Sequence, residues 1–294
     1  MKNYQIKNEC LTVTISSRGA ELQSIIGSDK TEYLWQGDEA IWKDKAFNIF
    51  PYIARLYQGT YQYEGQEYKL PIHGFLKDSE LTVAAQTEES ITFNLTDGEE
   101  TKAVYPFEFS LDITYTLQKN KIEIIMSVAN QGEQTMYFGI GGHPGFIVPI
   151  AGVGQFDDYY LEFATKETPY KIGVDGESLL QNGNDEKFDL VNQTKLPLSH
   201  ETFNDDAIIL HGMSKEVTLK SDANEKTVTV SYPDMNFLGI WQKPHTTAEY
   251  VCIEPWTSLQ ARMNQIEDIS KQTNMISLKS NQRYDNKWSI TIKE

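Results

Sequence analysis

Between Phe107 and Val128 the chain alternates apolar and polar side chains with a period of two, reverses at a short polar turn, and alternates again. Phe107, Phe109, Leu111, Ile113, Tyr115 and Leu117 share one face; after Lys119-Asn120, Ile122, Ile124, Met126 and Val128 do the same. Successive side chains of a strand point to opposite faces, so the pattern predicts an antiparallel hairpin buried on one side. Shorter runs of this kind recur at Leu11 to Ile15, Ile91 to Leu95, Val217 to Leu219, Val228 to Tyr232 and Trp288 to Ile292. Many short strands with polar turns predict an all-β fold, a large antiparallel sandwich with little helix. Leu259 to Ser270 is the one stretch that reads as a turn or two of helix, without the caps of a longer one. Ala151 to His200, rich in Asp, Asn, Gly and Lys with interspersed Tyr and Phe, is expected to contain long loops over one end of the sheets, where ligands are often covered.

No linker or charge block divides the chain, so residues 1–294 are expected to form a single domain. Hydrophobic residues make up 39% and aromatics 12%, enough for a substantial core and weighted toward strand formers. The net charge of -16 argues against nucleic acid and anionic membranes, which need clustered cations. The 4 arginines, Arg18, Arg55, Arg262 and Arg283, are scattered, which leaves no evident fork for a phosphorylated ligand. The 2 cysteines, Cys10 and Cys252, provide neither a disulfide scaffold nor a C-x-x-C metal spacing. Together with the absence of an apolar leader or a spanning run, this predicts a soluble cytoplasmic protein.

Two segments place one titratable residue each inside runs that read as buried strand and tight turn. They are Gly141-Gly142-His143-Pro144-Gly145-Phe146 and Val251-Cys252-Ile253-Glu254-Pro255-Trp256. A histidine and a glutamate on rigid frames suit acid and base work, because their ordinary values of about 6.5 and 4.3 bracket the range where proton transfer near neutrality is efficient. Each also has a structural reading: Glu254 as a solvent-facing strand residue, His143 as a histidine bonded to backbone. Leu70-Pro71-Ile72-His73-Gly74-Phe75 repeats the histidine-before-turn arrangement, whereas His200, His211 and His245 read as surface or loop residues. Arg55 follows the apolar run Phe47 to Ala54 and would bring its guanidinium to the mouth of a core, either toward sugar hydroxyls or paired with a carboxylate. Asp205 and Asp206 precede Ala207-Ile208-Ile209-Leu210, so alternation would send one inward and the other out. Trp241 and Trp256 offer faces for sugar C–H groups; Trp35, Trp42 and Trp288 read equally well as core.

The segments that carry these residues, taken in order, resemble the galactose mutarotase-like proteins, the aldose 1-epimerases. The resemblance runs through Gly19-Ala20-Glu21-Leu22, Glu32-Tyr33-Leu34-Trp35-Gln36-Gly37, Phe50-Pro51-Tyr52-Ile53-Ala54-Arg55-Leu56, His73-Gly74-Phe75, Gly142-His143-Pro144 and Cys252-Ile253-Glu254-Pro255-Trp256. It is strongest toward the bacterial branch found beside lactose-utilisation genes. It implies the supersandwich fold of that family and interconversion of the α and β anomers of a free hexose such as galactose or glucose. Glu254 would be the base at the anomeric hydroxyl and His143 the acid at the ring oxygen. Arg55, His73, Asp206 and Trp241 would hold the sugar, and no metal or nucleotide would take part. The segment around His143 and the residues after Phe75 depart from the galactose enzymes, which bears on sugar specificity. The competing readings are a non-catalytic sugar-binding or sensing protein with the same pocket, a hexose-phosphate epimerase, and a glycosidase or lyase on a related sandwich. Monomer and homodimer are both compatible with the sequence.

Overall fold

In the computed structural model, which describes residues 1–294, the alternating pattern becomes the strands Phe109–Gln118 and Lys121–Asn130. They pair antiparallel with Leu117 opposite Ile122, and Phe107 lies buried just before the first strand. The pair sits inside a nine-stranded sheet whose order is Lys195–Pro197, Tyr159–Phe163, Glu216–Ser221, Asn224–Ser231, Arg283–Lys293, Lys121–Asn130, Phe109–Gln118, Ser90–Thr96 and Thr82–Gln86. A second sheet of seven strands runs Glu186–Lys187, Tyr170–Lys171, Ile208–His211, Phe237–Trp241, Tyr250–Trp256, Gly141–Ile147 and Ala46–Ile49. Asn3–Lys7, Leu11–Ser16 and Leu22–Gly27 form a third, smaller sheet. Every paired strand is antiparallel, and strand accounts for 48% of residues against 7% helix. The one α-helix, Glu99–Val104, is too short to bury a face of its own.

Alternation explains how the two large sheets meet. Leu111, Ile113, Ile124 and Ile290 from the nine-stranded sheet share one buried cluster with Phe146, Leu238, Ile240, Val251 and Ile253 from the seven-stranded sheet. Burying each such side chain is worth ~1.5–3 kcal/mol, so this interface holds the sandwich together. Asn48 also points inward, where its amide donates to the Gly19 and Ala20 carbonyls and to the Tyr115 hydroxyl. The alternate positions, Tyr250, Cys252, Glu254 and Trp256, therefore face away from the main core.

One sequence expectation requires correction. Leu259 to Ser270 contains no helix. The Asp268 carboxylate takes the Ser270 N–H and hydroxyl, Glu267 takes the Arg262 N–H, and these local bonds compete with helical ones. Ala151 to His200 contains long loops, as expected, together with a strand in the nine-stranded sheet, one face of which buries Tyr159, Leu161 and Phe163. No helix is long and apolar enough to cross a membrane.

Candidate active site

Strand register builds a row of side chains across the outer face of the seven-stranded sheet. Phe47 pairs with His143, Glu254 with Gly239, and Gly239 with Ile209. Gly141 pairs with Trp256 and Gly145 with Cys252, which places His143 directly opposite Glu254. The bare glycines leave room for rings. A Cβ on Gly141 would lie 2.7 Å from the Trp256 indole, and one on Gly145 would lie 2.8 Å from that of Trp42. Indoles thus occupy both neighbouring positions along the strand from His143. Gly142 faces the other way, where the Trp288 ring would lie 2.6 Å from a Cβ. Close approach, rather than positive φ, is what these glycines provide.

His143 and Glu254 are 6% and 1% exposed, and imidazole Nε2 lies 3.1 Å from carboxylate Oε2. The solvent-facing reading of Glu254 is excluded, and so is the backbone-bonded histidine, since Nδ1 of His143 has no partner. Burial pushes His143 well below its ordinary 6.5, and His73 nearby adds to the effect. Burial pushes Glu254 well above 4.5, and the negative field of Asp206 adds to it. Desolvation disfavours both charged forms, and the Asp206 carboxylate further disfavours a charged Glu254, so the resting pair is neutral and carries one proton.

The pair lies in a cavity of about 470 Å³ whose walls include all six of the residues singled out by sequence: Arg55, His73, His143, Asp206, Trp241 and Glu254. His73 faces it from a strained loop. His73 and Ala54 both have left-handed backbone, φ 64° and 52°, and bond each other: the His73 N–H donates to the Ala54 carbonyl at 2.9 Å, and the Ala54 N–H donates to His73 Nδ1 at 3.3 Å. With Nδ1 accepting, the neutral ring carries its proton on Nε2. One edge of the ring opens on the cavity, but protein encloses the rest; that enclosure, with Lys77 and Arg55 close by, lowers His73 to about 3. Arg55 is exposed and unpaired, whereas Arg18, Arg262 and Arg283 each meet carboxylates. Asp205 and Asp206 both line the cavity, contrary to the alternation argument, because they lie in a turn before the strand and Asp206 has φ 73°.

Several lining residues escaped the sequence reading. Trp42 and Phe47 pack on the His143 ring at centroid distances of 5.2 and 4.4 Å. Lys77 brings a second cation to the wall beside Arg55, with its Nζ 2.8 Å from Asp78. Val174 and Leu179 come from the Ala151 to His200 segment, which does reach over the cavity as expected. His200, His211 and His245 lie outside it; His200 stacks on Phe156 at 4.1 Å. His143, Cys252 and Glu254 also bring one donor atom each within 4.8 Å of one another.

The chain is thus an antiparallel supersandwich in which a histidine and a glutamate meet in a cavity on one sheet face. The chain belongs to the aldose 1-epimerase family, whose profile matches residues 2–291. It is similar to the protein LacX of Lactococcus lactis subsp. lactis, plasmid form, with 32% identity over 298 residues and 98% of each chain covered. Among solved structures, a galactose mutarotase related enzyme from Lactobacillus acidophilus superposes with TM-score 0.95 at 34% identity, covering 100% of this chain and 98% of that one. A galactose mutarotase-like protein from Lactobacillus casei ATCC 334 gives TM-score 0.93 at 27% identity, covering 99% and 100%.

Proposed function

We propose that the protein is a cytoplasmic aldose 1-epimerase that interconverts the α and β anomers of a free hexose of the galactose or glucose type, with no metal or other cofactor in the reaction. The observation that carries this reading is the buried contact of 3.1 Å between His143 Nε2 and Glu254 Oε2 at the cavity floor. One proton on two groups supplies one acid and one base in the same place. Sugar hydroxyls entering the cavity donate hydrogen bonds to the carboxylate and favour its charged form, so the proton shifts to His143. Glu254 then removes the proton from O1, the C1–O5 bond breaks, and imidazolium protonates O5. The open aldehyde leaves Glu254 protonated and His143 neutral, the distribution that burial favours. Rotation about C1–C2 and the reverse transfers close the ring as the other anomer.

In this reading the Nε2–H of His73 and the unpaired Arg55 guanidinium donate to sugar oxygens, Asp206 accepts from a hydroxyl, and Trp241 covers a C–H face. The test is the rate at which freshly dissolved α-galactose and α-glucose approach anomeric equilibrium, followed by polarimetry. Acceleration by native protein and not by Glu254→Gln upholds it; no acceleration with either sugar overturns it. The joint presence of Arg55 and Lys77 on the wall favours a hexose phosphate as the second reading. Affinity for a hexose 6-phosphate far above that for the free sugar would select it.

A further inference from the structure

Cys252 is completely buried beside the acid and base pair, and the reaction above gives it no task. It lies two residues before Glu254 on the same strand, so its thiol and the carboxylate share the outer face, while His143 reaches them from the neighbouring strand. The three residues offer one sulfur, one oxygen and one nitrogen donor within 4.8 Å of one another, all buried. We propose that His143, Cys252 and Glu254 form a reversible binding site for a thiophilic divalent cation, with Zn²⁺ as its first occupant, and that filling it shuts down the pair.

The donor set fits this chemistry. Zinc bonds of ~2.0–2.3 Å in tetrahedral geometry separate ligand atoms by ~3.3–3.8 Å, so side chains already within 4.8 Å need close by only about 1 Å. His143 and Glu254 border the cavity, which leaves the fourth position open to water from that side. The charge balances inside the protein: carboxylate and thiolate offset the dication, the imidazole stays neutral, and two protons leave to solvent, one from the thiol and one from the His143–Glu254 pair. A thiolate and an imidazole select zinc, cobalt or cadmium over magnesium and calcium, which want oxygen ligands. The same geometry limits affinity. A ligating histidine is usually anchored through its other ring nitrogen, and Nδ1 of His143 has no partner. The site is therefore one that fills and empties with metal concentration. Shutdown follows because the metal takes the lone pairs of His143 and Glu254 that move protons; this part rests on the epimerase reading, whereas metal binding does not.

Co²⁺ added to purified, chelator-treated protein is the direct probe, because a cobalt–thiolate bond has a near-ultraviolet charge-transfer band. Native protein is expected to develop the band to one equivalent, with Zn²⁺ displacing it. Cys10→Ser should keep the band and Cys252→Ser should lose it. Zn²⁺ should also block anomer exchange by native protein, with at least ~10-fold lower potency on Cys252→Ser, and a chelator should restore the rate. Absence of the band in native protein, or its persistence in Cys252→Ser, overturns the proposal. If circular dichroism shows Cys252→Ser unfolded, Glu254→Gln decides, since it keeps the thiol and loses one donor: ~10-fold weaker cobalt binding upholds the site and unchanged binding overturns it. A cobalt–thiolate band in a protein that never accelerates anomer exchange upholds the site and overturns the epimerase reading instead.

Discussion

His143 stands opposite Glu254 across two neighbouring antiparallel strands, and the two side chains touch at 3.1 Å on a sheet face otherwise lined by aromatic rings. The contact is fixed by backbone register, so neither group depends on a mobile loop for its position.

Replacing Glu254 by Gln keeps shape and one hydrogen bond but removes the proton acceptor. Turnover should fall by ~10²–10⁴-fold with sugar affinity nearly unchanged, read by anomer-exchange NMR beside calorimetric titration. Turnover within a factor of two of native would remove Glu254 from the role of base.

The same variant has a stability signature. Burial holds Glu254 protonated above its ordinary 4.5, so the native state binds more protons than the unfolded chain once pH exceeds that value. That contribution is fully present below 4.5 and is lost as pH rises toward the folded value. Glu254→Gln never carries the cost of keeping the group neutral, so its melting temperature relative to native should rise with pH above 4.5 and not below. A gain on the order of 1 kcal/mol at pH 8 corresponds to ~2–4 °C, measurable by calorimetry. A difference that is flat with pH, or that shrinks as pH rises, contradicts the buried neutral carboxyl.

His143 titrates in the opposite sense. Its depressed value means that the acid limb of the rate profile should fall below pH 6.5, where the pair takes a second proton. Trp42 covers the ring at 5.2 Å, and Trp42→Ala would let water reach it. The limb should move up toward 6.5 in that variant, and an unmoved limb would show that burial is not what depresses His143.

The alternation that predicts strands also made Glu254 conspicuous, because a carboxylate in the middle of Val251 to Trp256 has no place in an apolar face. That it meets His143 was expected from the two motifs and from the family resemblance; alternation alone cannot give the contact, which depends on the register between strands remote in sequence. Trp42 and Phe47 were missed for the same reason: they fill space left by Gly145 or sit opposite His143, and neither relation exists before the sheet forms. The alternation rule failed at Asp205 and Asp206 because it was carried beyond the strand into a turn. Lys77, read with Leu76 only as a departure from the galactose enzymes, is brought to the cavity wall by the turn after Phe75.

His73 should act through Nε2, since Nδ1 is taken by the Ala54 N–H. His73→Gln can place an amide donor near Nε2, whereas His73→Ala cannot. Loss of one hydrogen bond to bound sugar costs ~1–3 kcal/mol, so His73→Ala should lose ~10–100-fold in kcat/KM and His73→Gln clearly less. Equal losses in both variants would assign His73 to loop structure alone.

Gly142 ties the site to the core. Its missing side chain faces the Trp288 ring, which is 2% exposed and packed among Ile124, Ile290 and their neighbours. A methyl group there would sit 2.6 Å from that ring, and the indole cannot retreat without displacing the nine-stranded sheet. Gly142→Ala should therefore cost ~1–3 kcal/mol by denaturant unfolding. Because His143 is the next residue, the backbone shift that relieves the clash should also open the contact with Glu254 and lower kcat more than it raises KM. Gly98→Ala is the control: nothing lies within 4 Å of a Cβ there, and the backbone is extended, with φ −155°. It should stay within about 0.5 kcal/mol of native with full activity. If Gly142→Ala matched this control in both stability and kcat, the tight approach of the His143 strand to Trp288 would not be what holds the acid in place.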